Sequence, residues 1–234
     1  MVYGAKANLS EVTDLVQVKN LIQKHKDNLI LNDISLCVEK KKLYGIIDDK
    51  DSGKSKLMEV LSVVLIPSCG SVKIGGFDIL EDPVQAKSLI GYMPEKMSFY
   101  DDMTVSEYLT FIAHAKKISR AETNSRIEYA LSKTGISCAK NIVISRLNGN
   151  ARARLGLAQA ILNDPEVLLL DGPTCGLSES ESAEIFKLVK TLSQKRTLVI
   201  CSRDISISSF CDEVVTLSFG QLNYDYHKSI KEDA

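Results

Sequence analysis

The stretch Leu43-Tyr44-Gly45-Ile46-Ile47-Asp48-Asp49-Lys50-Asp51-Ser52-Gly53-Lys54-Ser55-Lys56-Leu57 constrains this chain more than any other. A short, uniformly apolar run such as Leu43–Ile47 fits a strand buried on both faces, which is the habit of parallel sheets. It breaks into a polar turn, and Gly53-Lys54-Ser55 then opens a helix. A strand, a tight loop and a helix opening on Gly-Lys-Ser make a phosphate-binding loop, because backbone N–H groups and the helix N-terminus converge on one point. In such a loop the lysine reaches the outer phosphates and the hydroxyl holds Mg²⁺. The general spacing is Gly-x-x-x-x-Gly-Lys-Ser/Thr, and Asp48 stands where the first glycine belongs.

Composition narrows the classes. With 234 residues the chain has length for one large α/β domain or two small ones. Its 29 basic and 30 acidic residues leave a net charge of −1, so there is no basic surplus for nucleic acid. The run Lys40-Lys41-Lys42 reads as a solvated turn. No apolar run reaches the roughly 18 residues of a membrane span, and Met1–Lys6 has no signal-peptide pattern. The six cysteines are scattered without a Cys-x-x-Cys pair, which predicts reduced, mostly buried thiols.

Residues 1–15 read as a polar tail. Val16–Lys19 alternates as a strand, and Leu29–Leu31 and Ile34–Val38 read as two more. After the loop, a helix is expected over Ser55–Leu65, a strand over Ser71–Ile74 turning at Gly75-Gly76, and a strand over Ser88–Met93 stopped by Pro94. From Thr104 to about Arg146 the apolar spacing is helical, and Ala151–Leu162 is a further helix. Val167–Leu170 is an apolar strand ending at Asp171, and Ser178-Glu179-Ser180-Glu181 is a capping box that opens a helix to about Ser193. Thr197–Cys201 and Val214–Leu217 are the last strands, the second turning at Gly220. Strands alternating with helices predict an α/β fold with a mostly parallel sheet. The expected organisation is one domain over residues 16–230 behind a tail of residues 1–15, with a helical block inserted at about residues 98–160.

Five more segments accompany the loop. Ile90-Gly91-Tyr92-Met93-Pro94-Glu95 resembles the Q-loop of ATP-binding-cassette (ABC) ATPases, and Met103–Leu109 resembles the segment that follows it. Leu147-Asn148-Gly149-Asn150 running into Arg154–Ala160 resembles the signature motif and its helix. Leu168–Leu177 resembles the Walker B strand and D-loop, and Thr197–Asp204 the H-loop strand. The similarity covers residues from about 16 to 225. The wording of Met103–Leu109 and the single-cassette length look nearest to multidrug and antibiotic-type exporters.

The resemblance implies a P-loop NTPase fold with an antiparallel β subdomain and an inserted α-helical subdomain. It also implies a second cassette as partner, two ATP molecules with Mg²⁺ between the pair, and a transmembrane subunit docked at about residues 95–125. The place it implies is the cytoplasmic face of the cell membrane. It puts nucleotide-binding roles on His25 (the adenine-stacking position), Asp48, Asp51, Ser52, Gly53, Lys54, Ser55 and Lys56. The metal positions are Ser55, Glu95 and Asp171, and the signature and D-loop positions are Asn148, Gly149, Asn150 and Ser178.

Several of those positions depart from the family pattern. Gly172 stands where a glutamate should polarise the attacking water, and such a base is worth roughly 10²–10⁴ in rate. Arg203 replaces the H-loop histidine; it either clamps a phosphate or pairs with a carboxylate. Glu95 replaces the Q-loop glutamine, and Asp48 and Asp51 replace loop glycines. Each such charge about 5 Å from a phosphate charge costs roughly 3 kcal/mol at an effective dielectric near 20. Asn148 and Asn150 replace the signature serine and second glycine, and Ser178 replaces the D-loop aspartate, where it suits a helix N-cap. The expectation is a transporter subunit with hydrolysis impaired or absent, in which Asp48, Asp51, Glu95 or Asp171 neutralise Lys54 and Arg203. A weakly active ATPase and a soluble scaffold or sensor are the alternatives. ATP and Mg²⁺ are cofactors on the resemblance alone.

Overall fold

The computed structural model describes residues 14–49 and 52–224. Strands β1 (Asp14–His25) and β2 (Asn28–Glu39) form a long hairpin, and β4 (Cys69–Ile74) with β5 (Phe77–Asp78) extends it on the β1 side. The order is β2-β1-β4-β5, antiparallel throughout. A second sheet contains β3 (Leu43–Asp48), β6 (Ile90–Met93), β7 (Val167–Asp171), β8 (Thr197–Ser202), β9 (Glu213–Ser218) and β10 (Gln221–Asn223). Its order is β10-β9-β3-β8-β7-β6, parallel except for β10.

The parallel strands are buried on both sides, so alternate residues feed two different cores. Leu168 and Leu170 of β7 and Leu198 and Ile200 of β8 pack with the helices α3 (Val105–Ala115), α4 (Arg120–Thr134), α5 (Gly149–Ile161) and α6 (Glu179–Ser193). Val167, Leu169, Val199 and Cys201 pack the opposite way, against α1 (Lys54–Leu61) and the antiparallel sheet. Helix α5 lies so close to β6 that a Cβ on Gly91 would stand 2.1 Å from the Ala160 carbonyl oxygen.

Local sequence sets the helix ends. Thr104 caps α3 in a reciprocal capping box with Glu107, and Gly135 closes α4 in left-handed backbone (φ 72°). Ser178 and Glu181 form the expected capping box of α6.

Several boundaries differ from expectation. Strand β1 starts at Asp14 with Leu15 buried, so the tail expected over residues 1–15 loses its last two residues to the sheet. Residues 1–13 and 225–230 lie outside the described residues. The two strands expected at residues 29–38 are one, because Asp33 adopts left-handed backbone (φ 56°) and carries the strand through the apparent break. Helix α1 stops at Leu61, since Val63 at φ 58° cannot continue it. The strand expected from Ser88 starts at Ile90, because Pro83–Ser88 forms a short helix, α2, with proline in its first turn. The helical pattern over residues 104–146 divides into α3, α4 and two 3₁₀ turns. Cys37, Cys69, Cys138 and Cys175 are exposed and only Cys201 is buried, against the expectation of mostly buried thiols; all six are free.

Candidate functional site

Three parallel strands end together, β3 at Asp48, β7 at Asp171 and β8 at Ser202. The carboxyl edge of a parallel sheet is where its functional loops converge. Ile47 pairs with Ser202 and Met93 with Leu170. Continuing those registers sets Asp48 beside Arg203 and Glu95 beside Gly172.

Lys54, in the first turn of α1, turns its ammonium into this edge and is only 6% exposed. Its Nζ donates to Glu95 Oε2 at 2.6 Å and lies 3.4 Å from Asp171 Oδ1 and 3.7 Å from Asp48 Oδ1. Arg203 Nε is 3.7 Å from Asp48 Oδ2, while most of its side chain is exposed. Lys54 is thus an enclosed cation among three carboxylates. Of the four predicted acidic partners the structure brings together Asp48, Glu95 and Asp171; Asp51 lies outside the described residues.

The protonation balance follows from burial and pairing. Burial pushes the Asp48 and Asp171 carboxyls above their ordinary range, against the pull of Lys54. The Lys54 hydrogen bond holds Glu95 below its ordinary value. Burial opposes the Lys54 charge, but the Glu95 hydrogen bond and the Asp171 and Asp48 charges outweigh it and raise its pKa. Glu95 is therefore the firmly ionised partner, and it is the closest.

The loop itself keeps its shape. Gly53 has φ 88°, and a Cβ there would stand 2.9 Å from the Ile30 carbonyl oxygen, so both conformation and space demand glycine. The loop is tied to the β9–β10 hairpin: Asp49 N donates to Leu217 O, Gly220 N to Ser52 O, and Ser218 Oγ to Asp49 Oδ2. Ser52 is buried, and its Oγ accepts from Lys54 N. Ser55 helps to hold the Asp171 carboxyl down against its burial, and Lys56 pairs with Glu59 at 2.7 Å.

Gly172 also sits in left-handed backbone, φ 55°, and a Cβ there would meet Glu95 Cγ at 3.1 Å and Oε2 at 3.3 Å. A cavity of about 240 Å³ opens beside the pair, bounded by Lys54, Thr174, Ser202 and Arg203 among others. Cys175 lines it as well, a feature that sequence reading passed over because a lone thiol carries no pattern.

The remaining predicted positions lie apart from Lys54. His25 ends β1 at the exposed tip of the first hairpin, opposite Asn28. Asn148 caps α5 by accepting from Ala151 N, Gly149 is the first helical residue, and Asn150 Oδ1 accepts from Arg154 Nε. Arg154 in turn donates to Glu184 of α6 at 2.8 Å. Ser178 is engaged as the α6 cap. Among the described residues no group of three or more His, Cys, Asp or Glu is arranged to hold a metal ion.

The family model described as "ABC transporter" matches residues 31–175. The methionine import ATP-binding protein MetN 2 of Pectobacterium atrosepticum is 32% identical over 85% of this chain, which spans 61% of that protein's length. The ABC transporter ATP-binding protein NatA of Bacillus subtilis is 27% identical over 83% of this chain and 80% of its own. Among solved structures, cbiO1 of Clostridium perfringens, part of the ABC transporter complex cbiONQ, superposes with a TM-score of 0.83 over 95% of this chain and 93% of its own at 24% identity, which speaks for the fold. An import subunit matches at least as well as the others, so an exporter-type assignment has only loose support. Taken with the loop, the sheet order and the inserted helices, the match over most of the chain establishes that this protein belongs to the ABC transporter family, as an ATPase cassette.

Proposed function

We propose that this chain is the ATP-binding-type subunit of a membrane transporter whose own hydrolytic site is degenerate, serving as a structural or regulatory half. On this reading residues 16–230 act as one domain with the helical insert at about residues 98–160. It pairs with a second, more competent cassette and docks on a transmembrane subunit at the cytoplasmic membrane face. Relatives named as ATP-binding subunits of transporters support the assembly. Among the described residues no helix is long and apolar enough to cross a membrane.

The observation that carries the reading is the enclosure of Lys54 by three carboxylates. A triphosphate reaching for this lysine has to displace Glu95 and then face Asp48. At roughly 3 kcal/mol per repulsion at about 5 Å, two such contacts offset most of the roughly 8 kcal/mol of micromolar binding. The residues at the phosphate end thus do not fit a polyphosphate as they stand. Glycine at 172 supplies no base, and Asn148 and Asn150 are engaged within their own helix. Ser55, which lines the cavity beside Lys54, and Asp171, 3.4 Å from Lys54 Nζ, are oxygen donors of the type that suits Mg²⁺, and they favour a second reading, a weakly active ATPase.

Calorimetric titration with Mg-ATP at physiological salt separates the two. The degenerate reading expects no measurable heat below millimolar ATP. Micromolar binding with turnover that disappears in Lys54→Met would replace it with the second reading.

A further inference from the structure

Glu95 and Gly172 come from different strands, yet the β6–β7 register sets them side by side two residues beyond the Met93–Leu170 pair. The Glu95 side chain crowds the place where a side chain at 172 would begin: its Cγ and Oε2 are 3.1 and 3.3 Å from the Cβ position of that residue, so one of the two has to give by a few tenths of an ångström. The end of a glutamate ordinarily swings aside, but here it is held by its 2.6 Å bond to Lys54. Backbone at φ 55° adds a second obstacle to any side chain at 172. Two carboxylates in that space would also repel each other across a few ångströms.

We propose that positions 95 and 172 form a single carboxylate seat over Lys54, which one residue can fill and two cannot, and that Glu95 fills it in this chain. The inference rests on the degenerate reading given above and deepens it. Glu95 is then the residue that decides whether Lys54 is available to an external anion. A carboxylate returned to 172 alone meets a filled seat, so Gly172→Glu by itself restores nothing; it requires the vacating of 95.

The test is a thermal-melting cycle without nucleotide on the full chain, using Glu95→Ala, Gly172→Glu and the double variant, with Gly172→Ala as a milder probe. In the parent, Gly172→Glu is expected to lower Tm by about 5 °C or more. In the Glu95→Ala background its effect is expected to be less than half as large. Gly172→Ala is expected to couple to residue 95 in the same direction, and it serves if Gly172→Glu does not fold. Additive effects within about 1 °C for both probes overturn the shared seat. Parent protein that binds Mg-ATP in the micromolar range overturns the degenerate reading instead and leaves the seat to be judged by the cycle alone.

Discussion

Replacing Lys54 by methionine keeps the volume of a buried side chain and removes the ammonium that three carboxylates face. At an effective dielectric near 20, unit charges at the observed separations of 2.6, 3.4 and 3.7 Å attract by roughly 6, 5 and 4 kcal/mol. Desolvation of the ammonium and repulsion among the carboxylates offset most of that sum. Loss of one partner from a buried ion pair typically costs about 3–5 kcal/mol. For a chain of this size that corresponds to a Tm lower by about 6–20 °C at pH 7. The pH dependence has a definite sign. Burial already raises the folded pKa values of Asp48 and Asp171, and without Lys54 they rise further, so the variant gains stability as pH falls through them. In the parent, Glu95 is held below its usual value of 4.5, so its contribution is present above that pH and is lost as pH falls through its folded value. The melting temperatures of parent and variant should therefore converge between pH 7 and about pH 4, followed by circular dichroism. A drop under about 2 °C at pH 7, or a gap that widens in acid, would refute the view that Lys54 is clamped from within.

Two further outcomes test the scaffold around the site. Gly91→Ala puts a methyl 2.1 Å from the Ala160 carbonyl oxygen, and overpacking of that kind should cost roughly 3 kcal/mol or more, read as a lower urea midpoint. Ser178→Ala removes the hydroxyl half of the α6 capping box, the bond from Glu181 N, and leaves the Ser178 N–H to Glu181 half in place; it should cost about 1 kcal/mol, with the Ser178→Asp variant recovering most of it in the same denaturation series.

Much of this was legible in the chain itself, for identifiable reasons. Leu43–Ile47, Val167–Leu170 and Thr197–Cys201 read as doubly buried strands because nothing polar interrupts them, and all three lie in the parallel sheet. The Ser178 cap was readable because its partner Glu181 is local. The acidic partners of Lys54 were expected as a set, yet their ranking was not: Glu95 is closest only because β6 lies next to β7. Its apposition to Gly172 likewise depends on strand order, which no local pattern encodes. The continuity of β2 through Asp33 was hidden because a left-handed residue inside a strand looks like a turn. The exposure of Cys37 was within reach, since it alternates with the buried Leu36 and Val38, but cysteine's general preference for interiors pointed the other way.

The parallel sheet serves two cores at once, with neighbouring residues of β7 and β8 pointing into opposite ones. Such a sheet cannot lose one layer and keep the other intact, because the strands that line the first core are the same that line the second. The helical insert and the antiparallel hairpin are thus joined in a single cooperative unit, although they scarcely need to touch. Unfolding should pass through one transition, with the amides of β7 and β8 the last to exchange with solvent. For a molecule whose chemistry sits at the strand ends, this separates two tolerances: residues 95, 172 and 203 can change character while the strands behind them answer to both layers and cannot.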